Sequence, residues 1–313
     1  MDQLRSLRIF TQVIASGSFA AAARALDLAP AVVTRAIADL EQHLGARLLN
    51  RSSRRLALTE IGATYLPRAR LILAELDDAD ALAGAATEQP GGTLRILCPP
   101  AFAAHQLAGH LPEFCRRYPA IHLEIASPGP VEVADENFDI SILSIGEQTL
   151  QGDFIVRPLA CSTFIICAAP DYLARHGCPQ QPEELLAHAA LLPAVGAVRR
   201  ELTLYRQANP EQASQSISLA LPPPLLSTAH LEVLLAAALA GLGVAGLPSF
   251  LCAQALREGR LQRLLPEWHS TTLNLYAAIP TRKYVPARSR VFIDFLVQAF
   301  GGTRHDPWLN GPR

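Results

Sequence analysis

Residues 18–45, SFAAAARALDLAPAVVTRAIADLEQHLG, constrain the fold of this chain more than any other stretch. The Ser18 hydroxyl can accept a bond from an unpaired first-turn amide and so start a helix. Ala21, Ala22, Ala25 and Leu26 give that helix an apolar stripe. Asp27 and Leu28 break out of it, and Pro30 suits the first turn of a second helix, where no amide donor is needed. Val33, Ile37, Leu40 and Leu44 then recur at intervals of 4, 3 and 4 residues, the spacing of one helical face. Gly45 closes the run as a C-terminal cap. Thr34, Arg35 and Asp39 lie off the stripe. Two helices about a short turn predict a helix-turn-helix, whose second helix can enter a DNA major groove. An ordinary helical hairpin has the same pattern, so the flanking sequence has to decide.

Upstream, residues 3–14 predict another helix with Leu4, Leu7, Phe10 and Ile14 on one face. Downstream come Leu48 and Leu49, then Arg51, Arg54 and Arg55 around a Ser-Ser turn, then Leu56 and Leu58. That order predicts a small two-stranded wing with a basic tip. Residues 1–70 hold ten arginines against five acids, a net of +5, and the remainder carries −6. A positive terminal module on an acidic body points to a polyanion as the partner of that module alone.

With these features in order, the first sixty residues resemble the winged helix-turn-helix of LysR-type transcriptional regulators. The matching positions are Ser18-Phe19, the Ala-Ala-x-x-Leu of the first helix, Thr34-Arg35, Leu40-Glu41-x-x-Leu44-Gly45, Leu48-Leu49-x-Arg51 and Leu58-Thr59-x-x-Gly62. One departure stands out. The family usually has Ser before the recognition helix, and here it is Ala29. Losing that side-chain cap typically costs about 1 kcal/mol.

Thr59 can cap a long helix reaching about residue 86. Leu66, Leu73 and Asp80 fall at seven-residue spacing, as do Ala69, Leu76 and Ala83, a short coiled-coil seam that implies a second chain. Asp77, Asp78 and Asp80 at one end stand against Arg68 and Arg70 at the other, which suits antiparallel pairing; the resemblance also implies dimerisation through this helix, and the family includes tetramers. Gln89-Pro90-Gly91-Gly92 is the best domain boundary. Beyond it strand and helix patterns alternate, predicting α/β layers with largely parallel strands. The resemblance continues through Phe138-Asp139-Ile140, Pro170-x-Tyr172-Leu173 and residues 238–248. It implies two Rossmann-like lobes, like a periplasmic binding protein, around a ligand cleft. The expected organisation is α/β overall. A winged helix-turn-helix covers 1–58, a linker helix 59–88 and a regulatory domain 91–301. Lobe 1 takes about 91–160 and 267–301, lobe 2 about 161–266, and 302–313 form a tail.

Several chemistries lack support. The six cysteines (98, 115, 161, 167, 178, 252) show no paired spacing and read as reduced thiols of a cytoplasmic protein. The N-terminus reads as an amphipathic helix without a signal peptide. Residues 233–256 carry no charge and are long enough to span a bilayer, but Gly241, Gly243, Gly246 and Pro248 break them into helix, strand and helix, so no membrane partner is expected. Residues 241–246 match GxGxxG. A dinucleotide site needs strand, glycines, then helix, whereas here a helix comes first. The histidines show no metal-like spacing, and no GxSxG, HExxH or P-loop appears. No enzyme, cofactor or metal is expected.

The DNA-binding candidates are Ser18, Pro30, Ala31, Thr34 and Arg35, with Arg51, Arg54 and Arg55 on the wing. Arg35 can donate two bonds to guanine O6 and N7, and Thr34 can touch a base or phosphate. The wing arginines would follow the backbone or minor groove of double-stranded DNA. For a small-molecule effector, ligands in doubly wound sheets sit beyond strand C-terminal ends. The candidates there are Pro100, Ala101, Phe102, Ser144, Gly146, Thr228 and His230. Family members often have Ser or Thr at the first turn and Asn-Asp at the third; here Pro99, Pro100 and Ala101 offer no hydroxyl, and the third reads Ala229-His230. That argues against a small-carboxylate inducer and for a larger, more apolar effector, with Phe102 as a wall and a neutral His230 as donor, or for no effector. Two classes of function stay open: an effector-responsive dimeric DNA-binding regulator, and a solute-binding or enzymatic α/β protein with a helical interaction module.

Overall fold

A computed structural model describes residues 2–52, 55–83, 90–146, 150, 152, 154–194, 201–206, 215–280, 285–303 and 305–310. The chain forms two compact units, residues 1–89 and 90–313.

The first unit is helical with a wing. Helix α1 spans Gln3–Ala15, α2 Phe19–Ala25 and α3 Pro30–Leu44. Strands β1 (Leu49–Ser52) and β2 (Arg55–Leu58) pair antiparallel with Ser52 opposite Arg55, and α4 runs Glu60–Ala83. The helix boundaries follow local chemistry. Ser18 Oγ accepts from Ala21 N–H at 3.1 Å. Asp27 takes a left-handed turn conformation (φ 51°), and Gly45 another (φ 63°). Ala29 caps α3 without a side-chain bond, and Pro30 opens it. Thr59 Oγ1 accepts from Gly62 N–H at 2.9 Å, so it caps α4 as expected. The core is Leu7, Phe10, Val13, Ala22, Val33, Ile37 and Leu40, closed by Leu48, Leu49, Leu66, Ala69 and Leu73. Each such side chain contributes roughly 1.5–3 kcal/mol by leaving water.

Two expectations need correction here. Leu4 is 39% exposed, because α1 buries the face carrying Ser6, Leu7, Ile9, Phe10 and Val13. The first part of the seam on α4, Leu66 to Leu73, is not left open for a second chain. Leu66, Ala69 and Leu73 are buried within the unit, and Tyr65 lies 6.1 Å from Phe10 ring to ring. Of the large apolar side chains described on α4, Ile61 (54% exposed) and Ile72 (46%) face solvent. These lie eleven residues, about three turns, apart and so on one face. The side chains of Asp77, Asp78 and Asp80 lie outside the described residues.

The second unit is a two-lobed α/β domain. Its strands are β3 (Gly92–Leu97), β4 (Ile121–Ala126), β5 (Ile140–Ile145), β6 (Phe154–Ala168), β7 (Ala190–Pro193), β8 (Glu201–Arg206), β9 (Gln215–Ala220), β10 (Leu226–Thr228), β11 (Val244–Pro248), β12 (Gln262–Leu264), β13 (Trp268–His269) and β14 (Thr272–Pro280). Its helices are α5 (Pro100–Phe102), continued by a π-helical turn (Ala103–Leu107) into α6 (Ala108–Arg117), then α7 (Pro170–His176), a 3-10 turn (Pro182–Ala187), α8 (Leu231–Leu239), α9 (Ser249–Arg257), α10 (Ala287–Phe300) and α11 (Pro307–Asn310). The main strand order is β10-β7-β11-β6-β14-β5-β3-β4, with β12 on the far end of β6. Strand β6 joins the lobes: residues 154–163 pair with β14, while 164–168 pair with β11 and β12.

The sheet is mixed. β3 runs parallel to β4 and β5, and β7 parallel to β10 and β11. The long strands β6 and β14 are antiparallel to their neighbours, which corrects the expectation of largely parallel strands: the chain crosses between lobes twice, in opposite directions. A third sheet, β13-β8-β9, is antiparallel. Residues 305–310, read as tail, dock into the core: Trp308 packs against Phe102, Phe250 and Phe300.

Candidate functional site

In the first unit, α3 sorts its residues onto two faces. Val33, Ile37 and Leu40 are completely buried. Ala31, Thr34, Arg35 and Ala38 are exposed on the other side, at i, i+3, i+4 and i+7. Pro30 is exposed at the leading end, and Ser18 is exposed while capping α2. Thr34 spends its hydroxyl proton on Pro30 C=O at 3.0 Å, which leaves its oxygen as an acceptor. The structure therefore gathers Pro30, Ala31, Thr34 and Arg35 on one solvent-facing surface. Arg51 and Arg55 lie on β1 and β2. Their side chains, and Arg54 as a whole, lie outside the described residues.

What fixes the wing to this helix is Glu41. One carboxylate oxygen accepts both Leu48 N–H at 2.8 Å and Leu49 N–H at 3.0 Å. Sequence reasoning places Glu41 only within the family pattern, since a bond to amides seven and eight residues away has no periodic signal. Thr59 adds a second tie, donating to Arg47 C=O at 2.6 Å.

In the second unit a cavity of about 750 Å³ opens between the lobes. Lobe 1 contributes Glu132, Ser144 and Gly146, the crossing strands Phe164, Ile166 and Leu273, and lobe 2 His188, Leu192 and Tyr205. Of the seven effector candidates, Ser144 and Gly146 border it, and the other five do not. Phe102 is completely buried, 5.5 Å from Phe250 and 5.2 Å from Phe300, so its ring has no face free for a ligand. Ala101 is buried beside it, and Pro100 opens α5. Thr228 Oγ1 accepts the His230 backbone N–H at 3.1 Å, and the His230 side chain is exposed without capping α8.

The histidine that does reach the cavity is His188. Ala189 N–H donates to the Tyr172 hydroxyl at 3.0 Å, and that hydroxyl lies 3.2 Å from His188 Nδ1. The hydroxyl keeps its own proton available, so it can donate to Nδ1 in the tautomer that leaves Nδ1 bare. A neutral ring accepting at Nδ1 carries its hydrogen on Nε2. Burial, and then the neighbouring His176, push the His188 pKa below the ordinary imidazole value, against a smaller opposing pull from Glu184. Sequence alone gives no sign of this, because the relay joins α7 to the end of the 3-10 turn.

The GxGxxG match behaves as its order predicts. Gly241 (φ 72°) follows the end of α8, and a Cβ on Gly243 would come within 2.3 Å of Ala189 C=O, so these glycines let helix and strand pack closely. Among the described residues no cluster of metal-binding side chains occurs, and no helix is long and apolar enough to cross a membrane.

Two family models cover the chain: bacterial regulatory helix-turn-helix protein, lysR family, over residues 4–63, and LysR substrate binding domain over residues 87–301. The chain is 38% identical over 298 residues to the HTH-type transcriptional regulator CrgA of Neisseria meningitidis serogroup C, covering 94% of this chain and 96% of the relative. The solved structure of CrgA from Neisseria meningitidis is similar with a TM-score of 0.59 at 34% identity, covering 95% of this chain and 98% of that one. The full-length structure of the Vibrio cholerae virulence activator AphB is similar with a TM-score of 0.58 at 25% identity, covering 94% and 98%.

Proposed function

The chain belongs to the LysR family of DNA-binding transcriptional regulators, with its helix-turn-helix and its substrate-binding domain both matched, and from that premise we propose which of its residues read DNA and which hold the effector. Helix α3 enters the major groove with Arg35 on a base edge, Thr34 and Ala31 beside it, and the Ser18 and Pro30 ends against phosphates. Arg51, Arg54 and Arg55 of the wing follow the backbone. The observation that carries this is the exposed stripe of Ala31, Thr34 and Arg35 opposite the buried Val33, Ile37 and Leu40. The test is footprinting on the protein's own upstream DNA. Arg35→Ala is expected to cost about 1–3 kcal/mol on the specific site and to relax preference at one base pair. Arg54→Ala should weaken all sequences alike. Unchanged site preference in Arg35→Ala would mean that α3 is not the reading helix.

The effector site is proposed to be the inter-lobe cavity around Ser144, Gly146 and His188, rather than the turn at Pro100, Ala101 and Phe102 or the one at Thr228 and His230. A ligand there touches both lobes and the strands that join them, so it can bias their relative angle. The chain is proposed to work as a homo-oligomer whose α4 helices meet through the outward face of Ile61 and Ile72. The family consists of regulators, and we read no catalytic step into this member; its place of action is proposed to be the cytoplasm, with its DNA.

A further inference from the structure

Resting on the reading of the inter-lobe cavity as the effector site, we propose that it takes an uncharged, mainly apolar molecule carrying a carbonyl-type oxygen, which accepts a hydrogen bond from His188 Nε2–H. Three observations point to that class. The first is the Tyr172–His188 contact, which anchors Nδ1 at 3.2 Å on a ring that borders the cavity; with Nδ1 accepting from Tyr172, the neutral ring is a single donor through Nε2. A neutral donor matches a neutral acceptor. It offers a carboxylate no charge pairing.

The second is the wall. Phe164, Ile166, Leu192, Leu221, Val244 and Leu273 present a largely apolar surface, and the volume suits a ligand of one or two rings. Ser144, Thr203, Ser270 and Thr271 add hydroxyls that can donate or accept. The third is charge. The carboxylates of Glu132 and Glu201 border the same space. Both residues are exposed, so they stay hydrated and repel an approaching anion without forming a dry pocket for a cation. The effector is therefore neutral.

The test is titration calorimetry on the full-length protein with four probes: methyl naphthyl ketone, naphthoate, naphthylmethylammonium and succinate. The first three share one body and differ in charge. The ketone is expected to bind most tightly. His188→Leu should weaken it about tenfold, the worth of one lost hydrogen bond, while His188→Gln, which keeps an N–H donor, should weaken it much less. Because His188→Leu could disturb folding, the probe ranking on the unmodified protein stands as an independent reading. Gly246→Val serves as a blocking variant: Gly246 borders the cavity, and a Cβ there meets nothing within 4 Å. Tighter binding of naphthoate, the ammonium or succinate that Gly246→Val abolishes would overturn the ligand class while leaving the cavity as the effector site. Ketone binding that survives Gly246→Val unchanged would overturn the cavity itself. Failure of the ketone to bind at all would overturn the class.

Discussion

The carboxylate of Glu41 accepts the backbone N–H of Leu48 at 2.8 Å, and so ties the end of the proposed reading helix to the root of the wing. The same oxygen takes Leu49 N–H. Both amides sit at buried residues, where an unmade bond is costly. Glu41→Ala is expected to lower stability by about 1.5–3 kcal/mol, the range for hydrogen bonds to a charged group. Glu41→Gln should cost less, since its amide oxygen can still accept. Chemical denaturation of the two variants checks this. Equal stability of Glu41→Ala and the unmodified protein would show that the wing is held by Thr59 and packing alone.

Gly62 makes the next test. Its place in the first turn of α4 puts an added Cβ 2.0 Å from the Leu48 carbonyl oxygen, a backbone atom that cannot step aside. Gly62→Ala should therefore push the wing off α4, costing about 1–3 kcal/mol as overpacked sites do. DNA affinity should fall with it, because the wing arginines are displaced. A normal melting temperature for Gly62→Ala would contradict this geometry.

The α4 helix separates folding from assembly. Leu73 is buried in its own unit, so Leu73→Ala should destabilise that unit by about 2–5 kcal/mol. Ile72 is open to solvent, so Ile72→Arg should leave unit stability nearly unchanged and reduce the oligomer. Sedimentation and thermal denaturation together distinguish the two. An Ile72→Arg protein of unchanged mass would remove the outward face from the interface.

The helix-turn-helix was readable from sequence because each of its signals is local: Ser18, Pro30 and Gly45 are caps, and Val33, Ile37 and Leu40 keep one period. Where a pattern has two physical solutions, reading faltered. Leu66, Ala69 and Leu73 at heptad spacing suit a partner chain or α1 equally, and α1 covers them. The first ten residues of β6 carry Arg157 and Pro158 and alternate weakly between exposed and buried, so only its apolar end, residues 164–168, reads as strand. The cavity was least legible. Phe102 follows a strand end as a cleft residue would, yet the aromatic side chains of Phe250, Phe300 and Trp308, far away in sequence, enclose it. His188 is anchored beside the cavity by Tyr172, sixteen residues earlier.

Acid should destabilise the fold in a defined window. Burial lowers the pKa of His110, His188 and His269 below the ordinary 6.5. Their unfolded forms then take up protons before the folded forms do. The stability they contribute is present above pH 6.5 and is lost as pH falls from there toward their folded values. Glu113 and Glu258, held below 4.5 by hydrogen bonds from Arg116 and Arg117 and from Gln254 and Arg260, lose their share only at lower pH. Urea midpoints should therefore drop between pH 7.5 and pH 5.5, and His188→Gln should flatten part of that drop. A midpoint that rose on acidification would contradict the burial of these rings.

The last prediction concerns Asp306, beyond the closing helix. Phe250 N–H donates to Ser162 Oγ at 3.2 Å, Ser162 and Ser249 hydroxyls lie 2.8 Å apart, and Ser249 donates to the Asp306 carboxylate at 2.7 Å. Thr163 N–H reaches the same carboxylate at 2.8 Å. Asp306 thus closes a buried chain of bonds between β6, where it passes from lobe to lobe, and the start of α9. Beside it, Trp308 Nε1–H donates to Gln106 Oε1 at 2.7 Å, and Gln106 in turn donates to Phe250 C=O at 2.5 Å. The C-terminal segment accordingly ties the π-helical turn of lobe 1 to α9 of lobe 2. Asp306→Ala leaves the Thr163 amide without its partner, at about 1–3 kcal/mol, and leaves the Ser249 hydroxyl only Ser162 to bond. Trp308→Ala removes the ring that packs Phe102, Phe250 and Phe300 together, at about 3–5 kcal/mol. Both should lower the melting temperature of the regulatory unit and leave the helix-turn-helix unit intact, as two-probe denaturation can resolve. A C-terminal truncation after Gly302 that melted like the full chain would show that residues 305–310 contribute nothing to holding the lobes.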